Sequence, residues 1–163
     1  MNASGTQATW HGEFSHQVWL RQTAYPQNFI CSASVISPLL LLTVAHCTHF
    51  YGSSEGLMAV TGDDRMRSYE GTEQRRKLRR VIVHEKWNAQ TGDNDIAILV
   101  LEDPLRFDNY TRPIEIPRGN VSRRSKCTKN NDDSMLVSAI TGGLMVTYLL
   151  IRSCTSVQLG RHE

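Results

Sequence analysis

Residues 31–47 read CSASVISPLLLLTVAHC, a strand-like segment that ends in a histidine beside a cysteine. The Ser, Val and Ile residues before Pro38 favour an extended strand, and the apolar run after it has the length of a second strand. His46 follows at the edge of this apolar run, where its ring nitrogens need polar partners once water is excluded. The histidine therefore has either a structural or a chemical role.

The segments on either side continue a pattern of short strands separated by turns. HQVWLRQ at 16–22 alternates apolar and polar residues, and RRVIVHEKW at 79–87 emerges from a basic run. DNDIAILVLEDPL at 93–105 contains a short apolar strand that Asp103-Pro104 stops. Because no helical period interrupts these strands, the sequence predicts an all-β barrel or sandwich.

The composition of the chain is that of an ordinary globular domain. The chain has 163 residues, of which 40% are hydrophobic and 21% are charged, so one domain with a working core is expected. The formal net charge of +2 is too small to indicate nucleic acid or an anionic membrane surface as a partner.

The four cysteines, Cys31, Cys47, Cys127 and Cys154, lack a C-x-x-C pair or any spacing typical of zinc ligands. His46, Cys47 and His49 cluster in sequence, but neighbouring residues cannot easily share one metal ion. A disulfide fits these cysteines better than a metal site.

Five motifs identify a resemblance to a known family. CSASVISPLLLLTVAHC resembles the pattern C-G-G-S-L-I-S…V-L-T-A-A-H-C of chymotrypsin-like (trypsin-like) serine proteases, and DNDIAILVL is similar to their D-N-D-I-A-L-L-x-L. GEFSHQV, GDDRMRSYEGTEQ and YTRPIEIP resemble three further motifs of the same family. All five occur in family order with family-like gaps, over roughly residues 5–117.

The resemblance implies a catalytic role for the histidine. His46 would be the general base and Asp95 the carboxylate that orients it, in the family's chain order of His, Asp and Ser. Cys31 and Cys47 would form a disulfide. The family also implies an extracellular protein that acts on proteins or peptides or binds their inhibitors, although the first residues, MNASGTQATWHGEF, do not resemble a signal peptide.

The family places its nucleophile in a G-D-S-G-G motif, which does not occur in these 163 residues. Ser134 is the nearest imitation, but it lacks the flanking glycines that shape an oxyanion hole. The expectation is therefore the first six-stranded antiparallel barrel of a two-barrel fold at residues 5–118, followed by a divergent tail at 119–163. The resulting hypotheses are a truncated, inactive endopeptidase, a non-catalytic binding module and a membrane-tethered fragment.

The apolar segment 135–151 in that tail carries no charge. As a helix it would be about 25 Å long, at the lower limit for crossing a bilayer of about 30 Å. Gly142 and Gly143 weaken a helix further, so a buried helix or strand is favoured over a membrane span.

No cofactor is expected to be required, but the resemblance implies a loop that could hold a structural Ca²⁺. Its ligands would be the carboxylates or backbone carbonyls of Asp63, Arg65, Ser68, Glu70 and Glu73. The alternative is a solvated acidic turn, because Arg65 and Arg67 would repel a cation.

The run RRKLRR at 75–80 holds five cations in six residues. One hypothesis is an anion-binding patch for heparin-like polymers or nucleic acid. The alternative, a solvated strand, is favoured on sequence alone, and nucleic acid is not an expected partner.

Overall fold

The computed structural model describes residues 11–26, 28–49, 54–63 and 69–116. These residues form six antiparallel strands that close into a barrel, with one short helix and one 3₁₀ turn. The strands are β1 (Gln17–Gln22), β2 (Phe29–Val35), β3 (Leu40–Thr43), β4 (Leu57–Thr61), β5 (Gln74–Val83) and β6 (Ala97–Leu101); the helix α1 is His46–His49 and the 3₁₀ turn is Ser54–Gly56. The predictions of an all-β fold and of a six-stranded barrel are confirmed.

The order of the strands around the barrel is β1, β2, β3, β6, β5 and β4. The barrel closes because β4 pairs with β1 as well as with β5, in a register that sets Leu20 opposite Ala59. Closure gives both edges of each strand a hydrogen-bonding neighbour, which satisfies backbone groups that an open sheet would expose. Irregularities interrupt the pairing between Leu20 and Arg21 and between Leu78 and Arg80.

The interior of the barrel is filled by alternate side chains from all six strands. Fully buried residues include Leu20, Leu41, Leu57, Leu78 and Leu99. At about 2 kcal/mol for each buried leucine, this packing is the main source of stability for so small a barrel. The strand predicted from HQVWLRQ is β1, and its Val18 and Leu20 belong to the core.

Two strand boundaries differ from the sequence prediction. The apolar run 38–47 was predicted as one strand, but β3 ends at Thr43 and α1 begins at His46. The chain turns there because the backbone N–H and the side chain of Thr48 both donate to the carbonyl of Ala45, at 3.0 and 2.8 Å. The strand predicted at 79–87 instead spans Gln74–Val83, so it includes the basic run 75–80, for which a solvated strand was the favoured interpretation.

Several predictions concern residues 117–163, which lie outside the described part of the chain. These are the tail itself, the apolar segment 135–151, Ser134, Cys127 and Cys154. Among the residues that the structure describes, no helix has the length and apolar character needed to cross a membrane.

Candidate active site

The end of one strand pair positions the two candidate catalytic residues. β3 and β6 run antiparallel, and Thr43, the last residue of β3, pairs with Ala97, the first residue of β6. His46 lies just after β3 and Asp95 lies just before β6. The two residues therefore meet at the same end of the barrel although 49 positions separate them in the sequence.

Two hydrogen bonds join His46 to the side chain of Asp95. His46 Nδ1 lies 2.6 Å from Asp95 Oδ2, and the backbone N–H of His46 donates to Asp95 Oδ1 at 2.8 Å. An ionised carboxylate can only accept, so Nδ1 carries the proton in this pair and Nε2 is left with a lone pair. Asp95 is buried with 5% of its side chain exposed, whereas 44% of the His46 side chain is exposed.

A left-handed backbone at Asn94 directs Asp95 towards the histidine. Asn94 has a φ of 56°, a conformation that asparagine tolerates better than most residues. Its side-chain amide donates to the carbonyl of Lys86 at 2.9 Å, and its own carbonyl accepts from Ile96 at 2.8 Å. These bonds hold the turn immediately before β6, so Asn94 is a positioning residue that the sequence analysis did not single out.

A disulfide between Cys31 and Cys47 ties α1 to β2, as the resemblance implied. Their Cα atoms are 5.9 Å apart. Cys47 Sγ also lies 3.6 Å from His46 Nε2, but a disulfide sulfur has no proton to donate, so Nε2 stays a proton acceptor.

Cys31, His46 and Cys47 form a cluster of residue types that can bind metals. Potential ligand atoms of Cys31, His46 and Cys47 lie within 4.8 Å of one another. The thiolate is the form of cysteine that binds metals, and the two sulfurs are bonded to each other. This cluster is therefore a disulfide beside a histidine rather than a metal centre.

Asp63, the first residue of the predicted calcium loop, has partners within the protein. Asp63 is buried, and its Oδ2 lies 2.5 Å from Arg21 Nη2. The indole N–H of Trp19 donates to the carbonyl of Asp63 at 2.7 Å. The carboxylate of Asp63, which the calcium prediction uses as a ligand, is thus paired with the guanidinium of Arg21.

Glu70 and Glu73 lie together at the other end of that loop. Glu73 accepts hydrogen bonds from the backbone N–H groups of Glu70 and Gly71, at 2.6 and 2.9 Å. Partial burial alone would raise the pKa of Glu73. The hydrogen bonds from these two N–H groups and from its own N–H, together with the charge of Arg75, outweigh that effect, so the pKa of Glu73 is below its usual value. His11 Nε2 lies 3.7 Å from the Glu70 carboxylate.

The other two residues predicted for the calcium loop, Arg65 and Ser68, are outside the described part of the chain. The structure thus brings Glu70 and Glu73 together but pairs Asp63 with Arg21. Calcium binding by this loop stays a prediction.

Comparison with known proteins agrees with the geometry of the His46–Asp95 pair. The family model described as Trypsin matches residues 3–143, which is most of the chain and extends past residue 118. The chain belongs to the trypsin family. Membership of this family accounts for the six-stranded barrel and for the order of His46 and Asp95 along the chain.

Three curated relatives show how much of a trypsin-family protein the chain covers. Trypsin-1 of Astacus astacus is 34% identical over 109 residues, 65% of this chain and 46% of that protein. Human Kallikrein-14 is 30% identical over 62% of this chain and 36% of its own length. Transmembrane protease serine 9 of Rattus norvegicus is 31% identical over 71% of this chain and 11% of its own length. The chain thus spans less than half of each of these relatives.

Proposed function

We propose that this chain supplies the general base and its orienting carboxylate for peptide-bond hydrolysis of the serine endopeptidase type. The observation that carries the proposal is the 2.6 Å bond between His46 Nδ1 and Asp95 Oδ2, with Asp95 buried and the histidine ring open to solvent. This arrangement leaves Nε2 as a proton acceptor at an accessible surface, which is what a general base requires.

The roles of the two residues follow from this geometry. His46 Nε2 takes the proton from a serine hydroxyl as its oxygen attacks the peptide carbonyl, and later gives that proton to the leaving amine. Asp95 remains ionised throughout; it holds the Nδ1–H tautomer and stabilises the imidazolium while it exists. The second bond to Asp95, from the backbone N–H of His46 at 2.8 Å, fixes the carboxylate relative to the ring.

We further propose that the nucleophile of this reaction is not among the 163 residues, and that the chain alone does not hydrolyse peptides. The absence of G-D-S-G-G from the sequence supports this, as does the absence of glycines beside Ser134. Loss of the serine from a triad of this kind lowers kcat by about 10⁶, as measured in subtilisin. Because the G-D-S-G-G segment that would shape an oxyanion hole is absent from the sequence, we expect the rate to equal that of buffer.

A fluorophosphonate probe and a library of fluorogenic peptides test this proposal on the purified, oxidised chain. The expected result is no labelling of the chain and no hydrolysis above buffer, in the parent and in His46→Ala alike. Labelling of the parent that disappears in His46→Ala would place the nucleophile within these residues. That result would overturn the proposed inactivity and leave the role of His46 supported.

A second candidate is a non-catalytic binding module that competes for the substrates or inhibitors of a complete trypsin-family enzyme. The closed barrel and its continuous core favour this candidate, because they give residues 11–116 the features of a unit that folds alone. The measurement is inhibition: a binding module reduces the activity of an inhibitor towards a complete protease, whereas an inert fragment has no effect.

We also propose that the protein works outside the cytosol. The Cys31–Cys47 disulfide supports an oxidising compartment, where such bonds form and persist. Tethering through residues 135–151 is a separate hypothesis, and alkaline carbonate extraction tests it, because a membrane-spanning protein stays in the pellet.

A further inference from the structure

The outer surface of β5 carries a row of cations. Inward positions of β5 are taken by Leu78, which is buried, and by Val81, which packs against the core. Arg75 and Lys77 alternate with the inward residues and are exposed. The pairing irregularity between Leu78 and Arg80 inserts one extra residue, so Arg79 and Arg80 are both exposed. We call Arg75, Lys77, Arg79 and Arg80 the basic row.

No ion pair with another described residue neutralises the charges of the basic row. Within residues 11–26, 28–49, 54–63 and 69–116, the ion pairs are Arg21–Asp63, His11–Glu70 and His46–Asp95, and none includes the basic row. Glu73 is near enough to Arg75 to be affected by its charge but makes no ion pair with it. Four like charges therefore stand together on one strand.

Arg76 shows what an internally satisfied arginine on this strand looks like. Its guanidinium donates to the carbonyls of Pro104 and Arg75, at 3.1 and 2.9 Å, and to the side chain of Gln74 at 3.2 Å. No such side-chain bond to another described residue occurs for Arg79 or Arg80. Arg76 is therefore a structural cation, whereas the N–H donors of Arg79 and Arg80 are available to a ligand.

The neighbouring strands surround the basic row with apolar side chains. On β4, Val60 pairs with Arg75 and Met58 pairs with Lys77; on β6, Val100 pairs with Arg80. A groove of about 370 Å³ is lined by Arg79, Arg80 and Val100. Two glutamates lie near the Arg75–Lys77 end of the row: the charge of Arg75 acts on Glu73, and the backbone N–H of Glu102 donates to the carbonyl of Lys77 at 3.0 Å. Among the described residues that line this groove, an anion would meet two arginines and a valine.

The spacing of the row favours a polymer over a single anion. Residues on one side of a strand recur about every 7 Å, so an extended chain with repeated anionic groups can contact several cations at once. A single exposed ion pair contributes little, whereas several pairs formed together add their contributions. Arginine also forms paired hydrogen bonds to the oxygens of sulfate and phosphate groups.

From these observations we infer that the basic row binds a linear sulfated polysaccharide. Two features favour sulfate over the phosphates of nucleic acid. The Cys31–Cys47 disulfide indicates an oxidising compartment, where sulfated glycans occur. The residues that flank the row on β4 and β6 are aliphatic or Met, without the aromatic rings that single-stranded nucleic acid uses for stacking.

The basic row lies away from the candidate catalytic pair. Val83, the last residue of β5, pairs with Ala97 at the end of the barrel that holds His46 and Asp95. Along the strand, at about 3.3 Å per residue, the row lies between about 10 Å (Arg80) and about 26 Å (Arg75) from Val83. Heparin binding and peptide hydrolysis are separate measurements, so the two sites can be tested independently.

Binding to heparin tests the inference, with two double variants of the 163-residue chain that lose the same charge. Arg79→Gln/Arg80→Gln removes two cations of the row, and the control Lys86→Gln/Arg106→Gln removes two exposed cations elsewhere. At about 0.15 M salt we expect the row variant to bind about tenfold more weakly than the parent, with a salt dependence reduced by about two ionic contacts. The control should bind like the parent, and equal thermal unfolding temperatures would show that all three proteins are folded.

Two further probes identify the ligand chemistry: heparin from which the sulfates have been removed, and single-stranded DNA of matched length. Loss of binding on desulfation, and weaker binding of DNA than of heparin, would support the inference. It would be overturned by no heparin binding of the parent, by equal weakening of both double variants, by unchanged binding after desulfation, or by DNA binding as tightly as heparin.

Discussion

Arg21 and Asp63 form a buried ion pair that crosses from β1 to the second residue after β4, with Nη2 and Oδ2 2.5 Å apart. Only 10% and 4% of the two side chains are exposed. Removing one partner of such a pair leaves a charge buried without its counter-ion, which costs about 3 kcal/mol or more. We expect Arg21→Met to lower the free energy of unfolding by about that amount, measured by urea denaturation near neutral pH.

Two variants control this prediction. Arg106→Met changes an exposed arginine in the same way and should alter stability by less than about 0.5 kcal/mol. Arg21→Met/Asp63→Leu removes both charges and should recover most of the lost stability. An Arg21→Met protein as stable as the parent would contradict the prediction.

Calcium binding by the loop can be decided on the unmodified chain. Because Arg21 already neutralises Asp63, we expect millimolar Ca²⁺ to leave the thermal unfolding temperature of the parent unchanged. The comparison is unfolding in Ca²⁺ and in chelator at equal ionic strength. A reproducible rise in Ca²⁺ would instead support the calcium loop at Glu70 and Glu73 and contradict the present expectation.

The Asp95 carboxylate should control the tautomer of His46. In the parent the proton resides on Nδ1, because that nitrogen faces a group that only accepts. Asp95→Asn presents an amide that can donate, so the Nδ1–H fraction should fall, as ¹⁵N chemical shifts of the ring at alkaline pH would report. Asp103→Asn, at an exposed position after β6, is the matched control and should leave the shifts unchanged.

His16 should make the protein less stable in weak acid. Burial lowers the pKa of His16 from 6.5 to about 4, so the folded state resists a proton that the unfolded state accepts. Above about pH 6.5, the neutral His16 makes its full contribution to the free energy of unfolding. This contribution is lost as the pH falls from about 6.5 to about 4, and it does not change at lower pH. The full loss is about 3 kcal/mol.

The measurement for His16 is the free energy of unfolding as a function of pH. We expect His16→Leu, which fills the buried position with an apolar side chain, to flatten the profile between these two pH values. His84→Gln, a change in a partly exposed histidine, should keep the slope of the parent. A parent profile that is already flat would refute the prediction.

The disulfide should stabilise the folded chain. It joins residues 16 positions apart, and closing a loop of that size in the unfolded state is worth about 3 kcal/mol. We expect Cys31→Ala/Cys47→Ala to unfold at lower denaturant concentration than the oxidised parent, and the reduced parent to approach the variant. Identical midpoints for oxidised and reduced parent would argue against a stabilising role.

Strand periodicity and turn residues are local signals, so they predicted an all-β barrel or sandwich, whereas the six-stranded barrel was implied by the family resemblance. The alternation in β1 and the apolar run of β6 stand out without tertiary information. The missed features depend on longer-range structure. The turn at His46 arises where pairing with β6 stops, and the extra residue in β5 is visible only when Leu78 and Arg80 are aligned with their partners.

The candidate site was predicted from motifs rather than from physics alone. His46 and Asp95 lie in segments that resemble the family, and the structure gives their distance. Arg21 escaped notice because a single arginine in an alternating strand is normally directed to solvent. Its partner Asp63 is 42 positions away, and only closure of β4 onto β1 brings the two together.

The pairing of β3 with β6 also links the catalytic geometry to the folding reaction. His46 and Asp95 meet across 49 positions of sequence, so their hydrogen bond forms only after a large loop has closed. Contacts of such long range slow folding, and they are absent from species that have formed only local hairpins. The Nδ1–H signal of His46 would thus serve as a kinetic reporter that appears when the barrel has closed rather than when its first strands have paired.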